Sequence, residues 1–202
     1  MTSVFDEIYR VVDVETTGLD PADARVVEVG ALTLTPSVPK LLVHHRYSSL
    51  IDPGVPIPPE TSAVHHLTDD DVAGAPILAG ELDAIRLSGF VDDNGKPIEV
   101  EPVPVGHNPT LDAKMIPFGR LWVDTYRIAM HLWPDAPRHD LQFLRYFLKL
   151  PAPNARNSDI IAHSAFGDAT VTAYLLMHEL EELERRGLVN RTGAPAAIQS
   201  AD

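Results

Sequence analysis

Two carboxylates, Asp13 and Glu15, lie two residues apart in a stretch that otherwise has the composition of a buried strand, VVDVETTGLD at positions 11–20. Side chains at positions i and i+2 of a strand point to the same face, so these acids are expected side by side, roughly 7 Å apart at Cα. Like charges in an apolar segment need a compensating partner. A divalent cation such as Mg²⁺ or Mn²⁺, which prefers oxygen ligands, would compensate both charges.

Two further acids and one histidine could complete such a site. Asp112 and Asp168 each lie beside apolar positions of a predicted helix, where a single carboxylate is usually a cap or a surface group. His163 precedes Asp168 by five residues and adds an imidazole, the side-chain type that most often exchanges protons near neutral pH. The chain has no cysteine, so a metal would have to be bound by oxygen or imidazole ligands.

The elements that must position these residues begin with strands and continue with alternating strands and helices. Strands are predicted over 9–16, 25–35 and 41–47, with connections short enough for an antiparallel meander. The proline-rich stretch 51–76 is predicted to be a loop without regular structure. The later predicted elements are a helix over 77–90, a turn over 92–97, a short strand over 103–108 that runs into a helix carrying Asp112, a strand and helix start over 121–130, and a helix over 139–149.

The last predicted helix is the most regular element. Ser164 can cap its start, and Arg185, Arg186 and Gly187 have the character of a basic last turn and a stop. Asp168 lies near its beginning, at the edge of an amphipathic stripe. The stripe consists of apolar residues at spacings of four and three: Ala169, Ala173, Leu176, Leu180 and Leu183.

Composition restricts the class of protein and of substrate. The 202 residues, with 45% hydrophobic and 22% charged residues, are typical of one globular domain, which we expect over residues 1–190. Residues 191–202 are expected to form a disordered tail. No run reaches the length of a membrane span, and the first residues lack the features of a signal peptide, so we expect a cytoplasmic protein without membrane partners.

The net charge of −13 argues against tight non-specific binding to a long polyanion, because lysine and arginine supply most of that affinity. It is compatible with a short nucleic-acid substrate, or with a substrate delivered by another protein.

Three motifs resemble those of the DEDDh 3′–5′ exonucleases, the family that includes proofreading subunits of replicative polymerases. They are DVETTG at 13–18, GHNPTLD at 106–112 and HSAFGDA at 163–169. VDTYRIA at 123–129 and AVHHLTDDDVAGAP at 63–76 are also similar to family segments. The resemblance extends from about Tyr9 to Leu183, and three motifs in the correct order are far more specific than one.

The resemblance implies a ribonuclease H-like α/β fold, in which a central mixed five-stranded sheet is flanked by helices. It also implies that Asp13, Glu15, Asp112 and Asp168 bind two Mg²⁺ or Mn²⁺ ions and that His163 is the general base. In this scheme Asp13 bridges the ions, Glu15 and Asp168 complete one site, and Asp112 holds the second ion. Two ions about 4 Å apart favour hydrolysis of a phosphodiester by in-line displacement.

The same resemblance implies substrate contacts outside the acids. Thr16, Thr17 and Gly18 are expected near the terminal nucleotide, His65 in the lining of the site, and Asn108 near the substrate. His107 fits a structural role equally well. We interpret Glu28, which matches a position that is often acidic in the family, as a surface or structural residue.

The implied activity is release of nucleoside monophosphates from the 3′ end of single-stranded nucleic acid, with DNA favoured over RNA. A polymerase or another protein could deliver the substrate. An exonuclease of short RNA and a non-catalytic nucleotide-binding module on the same fold are the alternatives. A structural metal-binding protein is disfavoured, because a closed structural site needs no adjacent titratable histidine.

Overall fold

The computed structural model describes residues 3–37, 40–87, 101–151 and 162–189. The predicted turn at 92–97 and the predicted tail at 191–202 lie outside these residues. The strands are β1 Tyr9–Thr16, β2 Val26–Ser37, β3 Lys40–Leu50, β4 Val103–Gly106 and β5 Val123–Asp124; the helices are α1 Pro59–His65, α2 Asp69–Val72, α3 Leu78–Leu87, α4 Thr110–Met115, α5 Thr125–Leu132, α6 Leu141–Phe147 and α7 Ala165–Arg185.

The strands form one five-stranded mixed sheet in the order β3-β2-β1-β4-β5. β1, β2 and β3 pair antiparallel, as the short connections predict, whereas β4 pairs parallel with both β1 and β5. β1 is therefore an interior strand with partners on both sides. The predicted ribonuclease H-like arrangement, a meander followed by strand–helix units, is confirmed.

Alternation along β1 assigns its residues to two cores. Tyr9 and Val11 face α7 and pack against its apolar stripe, including Ala169 and Ala173. Val12 and Val14 face the opposite side, where Ile85 of α3 and Ile116 contribute to a second core. Because the alternation continues toward the end of the strand, Asp13 and Glu15 lie on the face that α7 covers.

The guanidinium of Arg10 joins the sheet to the end of α3. Arg10 is fully buried, and it donates to the carbonyl oxygen of Ile85 at 2.6 Å, to that of Ala84 at 3.3 Å and to Thr33 Oγ1 at 2.7 Å. Two of the acceptors are carbonyl oxygens in the last turn of α3. Carbonyls at this end of a helix have no N–H donor within the helix. This buried cation thereby helps to close the face of the sheet opposite α7.

The prediction of an irregular loop over 51–76 is wrong, because this stretch contains α1 and α2. Proline is compatible with the first turn of a helix, where its missing N–H costs nothing, and α1 begins at Pro59. At α2 the Asp71 carboxylate accepts from Thr68 N at 2.7 Å, closing a capping box. Val72 also packs against Val27 and Ile57, so tertiary burial supports a helix of only four residues.

The remaining predicted elements differ from the structure mainly at their ends. β3 continues to Leu50, and α6 begins at Leu141 because the Asp140 carboxylate accepts from Phe143 N at 3.1 Å. The predicted cap of α7 is confirmed, since Ser164 Oγ accepts from Gly167 N at 3.1 Å. Among the described residues, no helix has both the length and the apolar character needed to cross a bilayer.

Candidate active site

Three carboxylates converge where the end of β1 meets the start of α7. Asp13 and Glu15 come from β1 and Asp168 from the first turn of α7, and their potential ligand oxygens lie within 4.8 Å of one another. The first two positions follow from strand alternation. The third requires α7 to begin directly over the sheet, so the structure brings together residues more than 150 positions apart.

A glycine makes this close approach possible. Gly30 of β2 is the register partner of Asp13. A Cβ at residue 30 would lie 2.2 Å from the main-chain nitrogen of Phe166, a separation that real Cβ atoms do not adopt. The absence of a side chain therefore lets the start of α7 rest on β2, two residues before Asp168.

Glu28 also holds the start of α7. It is the register partner of Glu15, and its carboxylate accepts from Ala165 N at 2.9 Å. Ala165 is the first residue of the helix, where main-chain N–H groups have no acceptor within the helix. The interpretation of Glu28 as surface or structural did not anticipate this contact beside the acidic group; the sequence signal for it is an acid in an apolar strand, two residues from Gly30.

Asp112 approaches the same end of β1 from the other side. It is 8% exposed, and its Oδ1 accepts from Val14 N at 3.1 Å. Pairing between β1 and β4 ends at Val11 and Val105, so this carboxylate accepts from a strand N–H beyond the last parallel pair. Among the described residues, Asp13, Glu15 and Asp168 form the acidic group whose ligand oxygens lie within 4.8 Å of one another. Asp112 lies next to this group, where its charge acts on Asp13.

Burial and mutual repulsion raise the pKa values of the carboxylates at this site. Burial, followed by the charges of Asp112 and Asp168, raises the pKa of Asp13 well above its ordinary value. Burial and the neighbouring Asp168 raise the pKa of Glu15 to about 8. Burial also raises the pKa of Asp112 to about 7, although the N–H of Val14 opposes this shift.

Burial is the largest cause of these shifts, and repulsion between neighbouring carboxylates adds to it at Asp13 and Glu15. The donor set consists of hard oxygen atoms within a few ångströms, which is the set that Mg²⁺ and Mn²⁺ prefer. The residues therefore fit a divalent metal centre.

His163 lies at the edge of the group, in the loop before α7. Its side chain is exposed, and its main-chain N–H donates to Asp168 Oδ2 at 3.3 Å. The residue has φ 61°, a left-handed conformation that is uncommon outside glycine. The main chain of His163 is thus tied to a carboxylate of the group, whereas its imidazole faces solvent.

The predicted residues after β1 form a hydrogen-bonded turn. Thr16 Oγ1 donates to the carbonyl oxygen of Gly18 at 2.6 Å. Thr17 N donates to the carbonyl oxygen of Arg25 at 2.8 Å, and Arg25 N donates to Thr17 Oγ1 at 3.0 Å. A Cβ at Gly18 would meet no atom within 4 Å, so the protein's own packing does not require glycine there.

His65 lies at the end of α1, beside the main chain of Thr16. Its ring is buried, and Nδ1 accepts from Leu67 N at 3.0 Å. Nε2 is buried without a hydrogen-bond partner among the described residues. Burial lowers the pKa of His65, which favours the neutral imidazole at the end of β1.

Asn108 and His107 follow β4 and differ in exposure. Asn108 is exposed, adopts φ 57°, and donates its main-chain N–H to Asp124 Oδ1 at 3.0 Å. The ring of His107 lies between two elements, with Nε2 2.8 Å from the carbonyl oxygen of His139 and Nδ1 2.9 Å from Thr125 Oγ1. Both nitrogens of His107 are therefore engaged within the fold, which supports its structural interpretation.

One polar residue at the acidic group was not predicted. Gln142 of α6 donates from Nε2 to Asp168 Oδ1 at 2.5 Å. In the sequence it is a single amide between the core residues Leu141 and Leu144, a pattern that many amphipathic helices share. Only the packing of α6 against α7 reveals the contact.

Comparison with known proteins gives one family. The model of the exonuclease family RNase_T matches residues 11–176. A curated relative, the DNA polymerase III subunit epsilon of Treponema pallidum (strain Nichols), is 31% identical over 137 residues, which are 63% of this chain and 57% of the relative. The chain spans only part of such relatives, since it covers 13% and 25% of two other bacterial DNA polymerase III proteins that it matches.

Solved structures share the fold. Exonuclease X in complex with 5′ overhanging duplex DNA superposes with a TM-score of 0.67 at 24% identity, over 92% of this chain and 96% of that chain. The nuclease domain of 3′hExo, a DEDDh family member bound to rAMP, gives a TM-score of 0.65 at 14% identity, over 90% and 95% of the two chains. Both similarities extend across nearly the whole sheet and its helices.

Proposed function

The chain belongs to the RNase_T exonuclease family, whose model matches residues 11–176, and we propose that it is a metal-dependent 3′–5′ exonuclease. It releases nucleoside monophosphates from the 3′ end of single-stranded nucleic acid. The observation that carries this proposal is the convergence of Asp13, Glu15 and Asp168, with Asp112 bordering them. All four acids and the histidine are present, which disfavours a non-catalytic nucleotide-binding module.

The proposed metal ligands are the four acids. Asp13, Glu15 and Asp168 would hold one Mg²⁺ or Mn²⁺ ion, and Asp112 together with Asp13 would hold a second. When bound, the ions supply Lewis acidity that neutralises the phosphodiester and favours deprotonation of the attacking water. The raised pKa values of Asp13 and Glu15 fit a site whose carboxylates become fully ionised only with a cation present.

His163 is the proposed general base. Its imidazole is exposed beside the group, and its main chain is hydrogen-bonded to Asp168. A ring nitrogen can therefore accept the proton of the attacking water while the carboxylate of Asp168 stays in place. A positioned base of this kind contributes roughly 10² to 10⁴ in rate.

The proposed substrate contacts surround the end of β1. The Thr16 hydroxyl donates within the turn, whereas the Thr17 hydroxyl accepts from Arg25 N and keeps its own hydrogen for donation. We therefore assign the binding role to the Thr17 hydroxyl and to main-chain groups of the turn, with open space at Gly18 for a nucleotide. The exposed Asn108 side chain contacts the nucleotide, and the His65 ring, whose pKa is lowered by burial, lines the site.

DNA is the preferred substrate in this proposal, because the relative described above is a DNA polymerase III subunit. A polymerase or another delivering protein would then act as partner. Short RNA is the second candidate, since a net charge of −13 disfavours capture of long polyanions. Matched DNA and RNA oligonucleotides of the same sequence distinguish the two.

The experiment uses single-stranded oligonucleotides labelled at either end, with Mg²⁺, with Mn²⁺ or with chelator. A 3′–5′ exonuclease converts 5′-labelled DNA into a ladder of shortened products and releases a labelled mononucleotide at once from 3′-labelled DNA. Asp13→Asn serves as the inactive control. Shortening from the 5′ end, or full activity in chelator, would contradict the proposal.

A further inference from the structure

The hydrogen bond between α6 and Asp168 suggests a function for a helix that carries none of the four acids. Gln142 Nε2 lies 2.5 Å from Asp168 Oδ1, and the main-chain N–H of His163 lies 3.3 Å from Asp168 Oδ2. Each carboxylate oxygen therefore accepts from one donor. Since an ionised carboxylate offers about four lone-pair positions, each oxygen retains capacity for another ligand while the carboxylate plane is held from two sides.

The orientation of the Gln142 amide is itself determined by a neighbouring cation. Arg145, one turn further along α6, is 5% exposed, and its Nη1 lies 3.5 Å from Gln142 Oε1. A guanidinium has only donors, so the acceptor end of the amide faces Arg145 and the donor end faces Asp168. A flipped amide would place N–H groups against N–H groups and an oxygen against a carboxylate.

An amide suits this position for an electrostatic reason. A lysine or arginine beside Asp168 would neutralise the carboxylate and repel a divalent cation. The amide donates a hydrogen bond without a net charge, so the negative charge of Asp168 stays available. The guanidinium of Arg145 lies against the oxygen end of that amide, where it orients the donor.

We infer that Gln142, oriented by Arg145, is a positioning residue that holds the Asp168 carboxylate ready for a divalent metal ion. This inference rests on the proposed function only in taking Asp168 as a metal ligand. Residues that orient metal ligands in this way typically contribute 10- to 100-fold to metal affinity. The sequence distance between the two residues, 26 positions, means that the contact depends on how α6 packs against α7.

The test measures Mn²⁺ binding to the metal-free full chain by titration calorimetry, without nucleic acid. Gln142→Met preserves length and removes the donor, and we expect it to weaken Mn²⁺ binding about 10- to 100-fold. Gln142→Asn keeps an amide, but its side chain is one methylene too short to reach Asp168, so we expect a similar loss of affinity. With two variants, the inference can still be tested if one of them folds poorly. Phe147→Met, at an exposed position of the same helix, is the control and should bind like the original chain.

A merely structural role for Gln142 gives a different result. In that case the Gln142 substitutions would lower the melting temperature but leave the Mn²⁺ affinity unchanged below that temperature. Positioning predicts that turnover of Gln142→Met recovers at high Mn²⁺, because the metal concentration for half-maximal rate rises while the maximal rate is largely kept. Unchanged Mn²⁺ affinity in both folded Gln142 variants would overturn the inference.

A double-mutant cycle tests the part assigned to Arg145. Arg145→Met removes both a charge, which should favour cation binding, and the constraint on the amide, which should weaken it. In the Gln142→Met background only the charge effect remains, so the same substitution should be several-fold less damaging there. Equal effects in both backgrounds would show that Arg145 does not act through Gln142.

The control Asp168→Asn separates the two proposals. If the original chain binds no Mn²⁺, or if Asp168→Asn binds it equally well, the metal role of Asp168 fails and this inference fails with it. If Asp168→Asn loses binding and the Gln142 variants do not, only the positioning role is wrong.

Discussion

Gly30 and Phe166 meet at a separation that no other residue type at position 30 would allow, since a Cβ there would lie 2.2 Å from Phe166 N. Gly30 is also the register partner of Asp13, and Asp168 follows Phe166 by two residues. The contact therefore sets the distance between the acids of β1 and the acid of α7. The proposed metal centre depends on this glycine although glycine offers no ligand.

Gly30→Ala should disrupt the centre. The added methyl must displace the main chain of α7, because no flexible side chain is there to yield, and overpacking of this kind costs about 1 to 3 kcal/mol. We expect a lower melting temperature and weaker Mn²⁺ binding by calorimetry. Gly80→Ala in α3, where a Cβ meets no atom within 4 Å, should be as stable as the original or more so. Mn²⁺ binding of normal affinity in Gly30→Ala would contradict this account.

Asp13→Asn should abolish exonuclease activity and stabilise the metal-free protein. Asp13 is surrounded by four acids that raise its pKa, so removing its charge relieves repulsion among partly buried groups. We expect the free energy of unfolding in chelator at pH 8 to rise by more than about 1.4 kcal/mol, the free energy that corresponds to one pKa unit. Denaturant titration with and without Mn²⁺ checks this, because only the original chain should gain strongly from the metal.

The stability of the metal-free protein should fall as pH rises from 5 to 8. Between its ordinary pKa of 4.5 and its folded value of about 8, Glu15 holds a proton in the folded chain that the unfolded chain has lost. Asp112, whose pKa rises from its ordinary value of 3.8 to about 7 in the folded chain, acts in the same direction. Stability decreases with pH wherever the folded state binds more protons, and saturating Mn²⁺ should reverse the trend.

Thermal unfolding in chelator across this pH range is the measurement. Glu15→Gln should flatten the curve, whereas Glu60→Gln, an acid in the first turn of α1, should leave its slope unchanged. A stability maximum near pH 8 without metal would refute the proposed origin of the shifts.

His163→Ala should keep Mn²⁺ affinity and lose roughly 10² to 10⁴ in maximal rate, the range of a general base. The main-chain hydrogen bond to Asp168 does not require the imidazole, which is why metal binding should persist. Added imidazole should restore part of the rate at saturating metal. His131→Ala, an exposed position of α5, should show neither effect. Loss of rate in proportion to loss of metal affinity would instead indicate a role in ordering the loop.

Glu179→Met should stabilise the protein, most strongly at alkaline pH. Glu179 is fully buried in α7, and neither carboxylate oxygen has a hydrogen-bond partner among the described residues. Burial and the charge of Asp124 raise its pKa well above the ordinary value, so its contribution to stability becomes less favourable as pH rises. Replacing an unsatisfied buried acid by an apolar side chain of similar size should gain about 1 to 3 kcal/mol at pH 8.

Denaturant titrations at pH 5 and pH 8 check this prediction, with Glu179→Gln included to separate the effect of charge from that of polarity. A destabilised Glu179→Met at both pH values would mean that the carboxylate has a favourable partner within the fold.

Most of the strands and helices, and the local half of the site, could be predicted from the sequence. Alternation along Val11–Glu15 places two acids on one face of a strand, and the caps and apolar stripe of α7 place Asp168 in its first turn. These features depend on residues close together in the chain, where the geometry of a strand or helix leaves few arrangements. The short helices α1 and α2 were missed because capping and burial of Val72, rather than periodicity, stabilise them.

How these local elements meet depends on long-range packing. Glu28 and Ala165 are 137 positions apart, and the contact between Gln142 and Asp168 joins α6 to α7. The roles of Gly30 and Gln142 likewise depend on close packing. Gly30 leaves the space that the main chain of Phe166 occupies, and Gln142 offers the donor that Asp168 accepts. No property of a glycine in a strand, or of a glutamine in a helix, specifies from the sequence which distant atom it will face.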